Sequence, residues 1–418
     1  MTTPTATRIL SGVDELGPEL IAFRRDLHQH PELGFAETRT TRRLVARLRK
    51  AGLRPRVLPG GTGVVCDIFP NDPSAVNRPF IALRGDMDAL PVTDLKDVPW
   101  RSTVDGACHA CGHDVHTSAV LGAGLALVGL RNQGLLPRPV RLVFQPAEEI
   151  QPGGALRAMT AGVLDDVESI HMVHCDPTVE VGRLAILDGP ITSGMDTFRF
   201  HVEGTGGHSA RPHLTANMIA GLQHMMLALP GLVQRFAPSD GVVFAWTTVH
   251  AGGTALNVIP TEGDLGGSLR TASPDAWRRM PQFITELVEG AMRVGGSGLT
   301  WKHEHHRMPP VVNTLGHLSR AAVVDLFGAG AVATTVQSQG GEDFAWYLAG
   351  TKDVPGVPDM PGVPGNLVRL GVRPPGVDPA DYPHLHEGGF DVDERAITVA
   401  AAYLTRMATG PETVGAAA

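Results

Sequence analysis

The sequence predicts an α/β protein: a domain with a mostly parallel sheet flanked by helices, interrupted by an inserted α+β module of ferredoxin-like order. Three observations carry this. Short apolar runs of strand length alternate with amphipathic segments in the first half of the chain. From Thr197 to about His306 the pattern changes to βαββαβ, between the turn-rich stretches LDGPITSG and RMPPVVN. At 418 residues the chain is too long for one ordinary core.

The elements follow in order. Residues 17–29 read as an amphipathic helix stopped by Pro31, and 36–51 as another ended by Gly52. VVCDIF (64–69) and FIALR (80–84) read as strands, and 114–130 as a long helix rich in small residues. VRLVFQ (140–145) and ESIHMVH (168–174) are strands with the helix GGALRAMTAG between them. The inserted module reads as TFRFHVEG, a helix over 215–230, VVFAWTTVHAG, GDLGGSLRTA, a helix over 275–293 and LTWKHEHHR. A helix over 314–327 follows, and the Gly/Pro-rich stretch 351–379 reads as loop. The expected domains are 1–189 with 308–418, and 190–307 inserted.

Composition excludes several classes. The chain is 43% hydrophobic and 19% charged, as a globular protein is, and its formal charge of −8 with no basic face argues against nucleic acid. The N-terminal stretch shows no signal peptide, and LGAGLALVGL is about half the length of a membrane span. A cytoplasmic setting is expected. Four cysteines do not make a disulfide scaffold. Eighteen histidines, clustered at 109–116, 171–174, 208–213, 303–306 and 384–386, point to metal.

In an open parallel sheet, ligands bind beyond the carboxyl ends of the strands. FIALR is followed by Asp86 and Asp88, VRLVFQ by Glu148 and Glu149, and ESIHMV by His174 and Cys175. Taken singly, an acid after a strand is as often a cap or loop residue. The adjacent glutamates suit a division in which one carboxylate binds a metal and its neighbour serves as general base. CHACGHDVH (108–116) precedes the long helix. Gly112 after the second cysteine rules out haem attachment, and a structural zinc site lacks a second Cys/His pair. Cys111 and His113 remain as candidate ligands, with a Cys108–Cys111 redox pair as the competing reading. HEHH (303–306) reads as an edge strand rather than a metal site.

Ten stretches in order then resemble one family: RRDLHQHPELGFAETRT, RGDMDALP, HACGHDVH, FQPAEE, HCDPTVEVG, GGHSARPH, ALNVIP, GSLRT, GGEDFAWYL and LHEGGFDVDE. The chain resembles the dinuclear metal-dependent aminoacylase/carboxypeptidase amidohydrolases, on the branch with hippurate hydrolase and indole-acetyl-amino-acid hydrolase. That resemblance implies two divalent ions, Zn2+ or Mn2+ with Co2+ or Ni2+ as alternatives, held by Cys111, His113, Glu149, His174 and His386. It implies Glu148 as catalytic base and Asp88 as the acid that orients a ligand. His208, Asn257 and Arg270 match positions that reach the substrate, and the inserted module matches a lid through which a homodimer or larger homo-oligomer is expected to form. His171 and His384 are passed over as ligands.

The resemblance thus implies hydrolysis of the amide bond of an N-acyl amino acid, with a dipeptidase or carboxypeptidase as the alternative within the family. The block after His386 departs from the family pattern, reading Glu387-Gly388-Gly389 where His-Ser-Pro is usual. Cys108 stands where methionine is common. A non-catalytic binding relative is disfavoured by the intact Glu148–Glu149 pair.

Overall fold

The computed structural model describes residues 2–236, 241–352 and 354–410. The expected tail of the larger domain, 411–418, lies outside the described residues. The chain divides into two compact units: 1–189 with 312–336 and 346–418, and 190–311 with 337–345.

The first unit is built on an eight-stranded sheet. Its strands run in the order Arg56–Val57, Val64–Ile68, Val140–Gln145, Phe80–Asp86, Val167–Glu180, Gly365–Arg373, Leu184–Ala185, Val332–Ala333. Phe80–Asp86 pairs in parallel with Val140–Gln145 and with Val167–Glu180, which pairs in parallel with Gly365–Arg373. The sheet is mixed with a parallel centre: Val64–Ile68 joins its neighbours antiparallel and Leu184–Ala185 runs antiparallel to Gly365–Arg373. The parallel centre still brings the ends of three strands to one edge.

Gly365–Arg373 corrects the expectation of loop over 351–379. All nine of its residues are buried. The apolar run NLVRLGVR lies between Pro/Gly-rich flanks, and those flanks dominate the composition of the window. A strand buried on both faces needs no alternation of polar and apolar residues.

The first helix runs over Pro4–Gln29, far longer than 17–29. Thr3 caps it by accepting from the Ala6 amide, and the helix continues through Pro18. The central helix, His113–Asn132, is buried nearly all round. A helix apolar on every side belongs in a core. It lies against Pro4–Gln29 and Arg395–Thr409. Gly122 permits the approach of the first helix, since a Cβ there would come within 2.6 Å of Leu20, and Gly124 the approach of the strand Val140–Gln145, with a Cβ 2.4 Å from Leu142.

The second unit holds a four-stranded antiparallel sheet in the order Val243–Ala251, Glu262–Thr271, Gly194–Glu203, Thr300–Met308. Helices Met218–Phe236 and Pro274–Gly295 complete a βαββαβ order. Phe198, Phe200, Val202, Leu265 and Leu269 pack with Met225, Leu229, Met280 and Ile284 in one core. HEHH lies on the edge strand Thr300–Met308. His303 and His305 face Phe200 and Phe198, with ring centroids 6.1 and 6.4 Å apart.

One buried polar knot ties the first helix to the central one. Arg24 Nε donates to Asp114 Oδ2 at 2.7 Å, and His28 Nδ1 lies 2.7 Å from the same oxygen. Arg24, His28 and Asp114 are essentially inaccessible. Burial alone would raise the Asp114 carboxyl, but the Arg24 charge and the His28 contact hold it well below the usual carboxylate range. Removing one partner of such a pair strands a buried charge. Asp114→Ala is therefore expected to lower unfolding free energy by about 3–5 kcal/mol in denaturant titrations. A loss under about 1 kcal/mol, the level of an exposed pair, would contradict this account.

Candidate metal and catalytic site

Five segments of the first unit deliver the candidate residues. Phe80–Asp86 runs into Met87 and Asp88; Val140–Gln145 runs into Ala147, Glu148 and Glu149; Val167–Glu180 carries His174; and the loop with His386 comes from the C-terminal part. Cys111 and His113 flank the start of the central helix. His113 is the first residue of that helix rather than part of an irregular loop.

Gly112 separates Cys111 from His113 with φ of +87°, and a Cβ there would lie 2.7 Å from Cys175 Sγ. Only glycine meets both conditions. Cys175 is thus packing against this turn, on the strand position after His174. His386 also adopts a left-handed backbone, φ +69°, and its amide donates to Ala110 O at 2.8 Å. That bond joins the loop of His386 to the CHACGH stretch.

The structure brings all five expected ligands together. Cys111, His113 and His174 have ligand atoms within 4.8 Å of one another; so do Cys111, Glu149 and His386, and so do His113, Glu148 and Glu149. Cys111 belongs to two of these groups. Its Sγ lies 3.5 Å from His174 Nε2. His386 Nε2 is 3.3 Å from Glu149 Oε1, and His113 Nε2 is 3.8 Å from the same oxygen and 4.0 Å from Glu148 Oε2.

The tautomers suit metal binding. His174 Nδ1 lies 2.8 Å from Cys175 O, a carbonyl that can only accept, so Nδ1 carries the proton and the Nε2 lone pair faces Cys111. His113 Nδ1 lies 3.2 Å from Asp88 Oδ1, which leaves Nε2 buried with no hydrogen-bond partner among the described residues. A buried, unpartnered imidazole nitrogen aimed at acids is what a cation would satisfy. The fit to a divalent centre is therefore good: thiolate, imidazole and carboxylate donors, with ring nitrogens fixed from behind.

Electrostatics agree. Burial pushes the Cys111 thiol up, and the Glu149 and Glu148 charges push it further. Burial would lower His113, but Asp86 and Asp88 outweigh it and raise the imidazole to about 10. Burial holds His174 well below the ordinary histidine value, with His116 and Arg369 adding to this. His386 is raised by its hydrogen bond to Glu149. Asp86, Asp88 and Glu149 all act on His113, and a bound dication is a charge that such acids would balance.

Asp88 takes more contacts than its expected role. Besides His113, it accepts from the Glu148 amide at 3.0 Å and the Glu149 amide at 2.9 Å. His116, near the cluster, is saturated: Nδ1 lies 2.7 Å from Asp86 Oδ1 and Nε2 accepts from the Cys175 amide at 2.8 Å. It fixes the strand after His174. His171 Nε2 lies 3.1 Å from Ser169 Oγ, while its Nδ1 is buried with no hydrogen-bond partner among the described residues.

Glu37 went unremarked in the sequence. It is fully buried and its Oε1 accepts from the Ala147 amide at 2.7 Å. Burial pushes its carboxyl up to about 7. The signal was its place directly before a helix, which reads as an ordinary cap. Among the cysteines, Cys108 is fixed by a two-way backbone bridge to Leu90, and all four are free thiols.

His208, Asn257 and Arg270 lie in the second unit. His208 pairs with Val258 across a short ladder, and the Ser209 amide donates to Asn257 O at 3.0 Å, so His208 and Asn257 are neighbours. His208 Nδ1 accepts from the Ala210 amide at 3.1 Å, leaving the Nε2 proton outward as a donor. Arg270 sits on Glu262–Thr271, half-buried, and its Nη1 is buried with no hydrogen-bond partner among the described residues. Burial lowers its guanidinium from the ordinary value.

Known proteins resemble this one over most of the chain. The protein carrying the name glutamate–cysteine ligase 2-3 in Rhodococcus jostii (strain RHA1) is 40% identical over 383 residues, 91% of this chain and 45% of that one. This chain thus spans less than half of that relative. N-acetylcysteine deacetylase of Bacillus subtilis (strain 168) is 34% identical over 391 residues, 93% of this chain and 96% of that one. The crystal structure of Bacillus subtilis YXEP, described as a dinuclear metal binding peptidase from the M20 family, shares 31% identity. It covers 95% of this chain and 98% of that chain, with a TM-score of 0.76. The model of Peptidase family M20/M25/M40 matches residues 82–409, and the chain belongs to that family.

Proposed function

We propose that the protein is a dinuclear metal-dependent amidohydrolase that cleaves the amide bond of N-acyl amino acids, releasing a carboxylic acid and a free amino acid. The carrying observation is the juxtaposition of Glu148 with the five-residue donor cluster at the strand ends. The deacetylase and peptidase relatives support the reaction class.

Cys111, His113, Glu149, His174 and His386 would hold two divalent ions, zinc or manganese, with cobalt or nickel also suited to these donors. When bound, such ions acidify a water and polarise the scissile carbonyl. Glu148 takes the proton of the attacking water and delivers it to the leaving amine. Asp88 orients His113 and fixes the backbone of Glu148 and Glu149. His208 offers its Nε2 proton to the developing oxyanion, with Asn257 beside it. Arg270, with an unsatisfied buried nitrogen, receives the substrate carboxylate.

The second unit, in this reading, is a ferredoxin-like lid and dimerisation module inserted at 190–307. Its βαββαβ order supports the first part. The edge strand Val243–Ala251 and the exposed Leu227, 73% accessible, support pairing with a second copy. No described helix is long and apolar enough to cross a membrane. The cytoplasmic setting rests on the four free thiols.

Glu148→Gln is expected to lower kcat about a hundred- to ten-thousand-fold while two metal equivalents per chain remain, measured by steady-state kinetics and elemental analysis. Near-normal turnover would show the base to be another group. Arg270→Leu is expected to raise KM for N-acyl amino acids about 10- to 100-fold and to leave their carboxamide analogues unaffected. Equal effects on both would remove the carboxylate role. A panel of N-acetyl and N-benzoyl amino acids against dipeptides and longer peptides separates amidohydrolase from dipeptidase and carboxypeptidase. Faster turnover of the N-acyl substrates is expected, and preference for a free amino terminus would favour the dipeptidase.

A further inference from the structure

Glu37 directly precedes the helix Thr38–Lys50, where a carboxylate ordinarily accepts the helix's own first amides. It makes no such capping bond. Glu32 does that work: Oε1 accepts from the Arg39 amide and Oε2 from the Thr40 amide, both at 2.8 Å. Glu37 is thereby released from capping, and its carboxylate reaches the amide of Ala147, 110 residues away in sequence.

Ala147 is no ordinary residue to hold. It has a φ of +56°, a left-handed backbone that a side chain disfavours. Its carbonyl accepts from the Gly154 amide at 2.8 Å, and a Cβ on Gly154 would fall 1.8 Å from Pro146 O. The next two amides, of Glu148 and Glu149, go to the two oxygens of Asp88. Three successive amides are thus taken by two buried carboxylates arriving from different segments. A turn of that peptide plane would swing both glutamate side chains together.

We propose that Glu37 is a positioning residue for the Glu148–Glu149 pair: by holding the Ala147 amide in its left-handed turn, it sets the directions of both carboxylates. This rests on the reading of Glu148 as base and Glu149 as metal ligand. The requirement is for an acceptor oxygen at a set reach, not for charge. Glutamine meets it, alanine does not, and aspartate keeps the charge but is one methylene too short.

The test uses the full-length metal-loaded enzyme with Glu37→Gln, Glu37→Asp and Glu37→Ala, and Glu148→Gln in parallel. Readouts are kcat and KM on a hydrolysed N-acetyl amino acid, Mn2+ affinity by equilibrium dialysis, and thermal melting. Aspartate and alanine are expected to cost about 10- to 100-fold in kcat and in Mn2+ affinity, with KM within about threefold and glutamine near wild type. Should the alanine variant not fold, the aspartate and glutamine pair decides. Wild-type kcat and Mn2+ affinity in Glu37→Asp, or a glutamine variant as impaired as the aspartate one, would overturn the proposal. If Glu148→Gln stays active, the base assignment fails by itself, and the Mn2+ affinities still decide whether Glu37 sets Glu149.

Discussion

Asp88 is the interaction on which the site depends. One buried carboxylate receives the amides of Glu148 and Glu149 and braces Nδ1 of His113. It therefore links the ends of two adjacent strands to the start of the central helix. Without such links, side chains contributed by segments some 60 residues apart would have no shared frame. Burying a carboxylate is costly, and three partners offset that cost. The same logic recurs around it: Asp86 holds His116, His116 holds the Cys175 amide, and His174 bonds Cys175 O. Few of the donor atoms are left to choose their own orientation.

These supports also explain why two imidazoles of the cluster shift in opposite directions. Acids, a thiol and imidazoles share a buried pocket, so their charges act on one another strongly. The His113 imidazole is drawn up while His174 is pushed down, although both belong to one cluster. The difference is local: His113 faces Asp86 and Asp88, whereas His174 is buried beside His116 and Arg369.

Much of this was legible in the sequence, for physical reasons. The strand ends announced themselves because charged residues directly after apolar runs have few other places to go, and Gly112 marked a turn between two donors. The tautomers, the saturation of His116 and the diversion of Glu37 were not legible, since each depends on contacts between distant segments. The strand Gly365–Arg373 was hidden by the prolines and glycines on either side. Pro18 concealed the true length of the first helix, because a proline inside a helix reads as a stop unless packing outweighs it. HEHH, read as an edge strand despite its histidines, is one, and its alternate rings lie on phenylalanines.

Cys111 is common to two of the donor groups, which in the proposed function would each hold a divalent ion. Anomalous diffraction from crystals of the zinc-loaded protein tests this most directly. The account expects two zinc peaks per chain, one among Cys111, His113 and His174 and one among Cys111, Glu149 and His386. A single peak, or peaks away from Cys111, would contradict it.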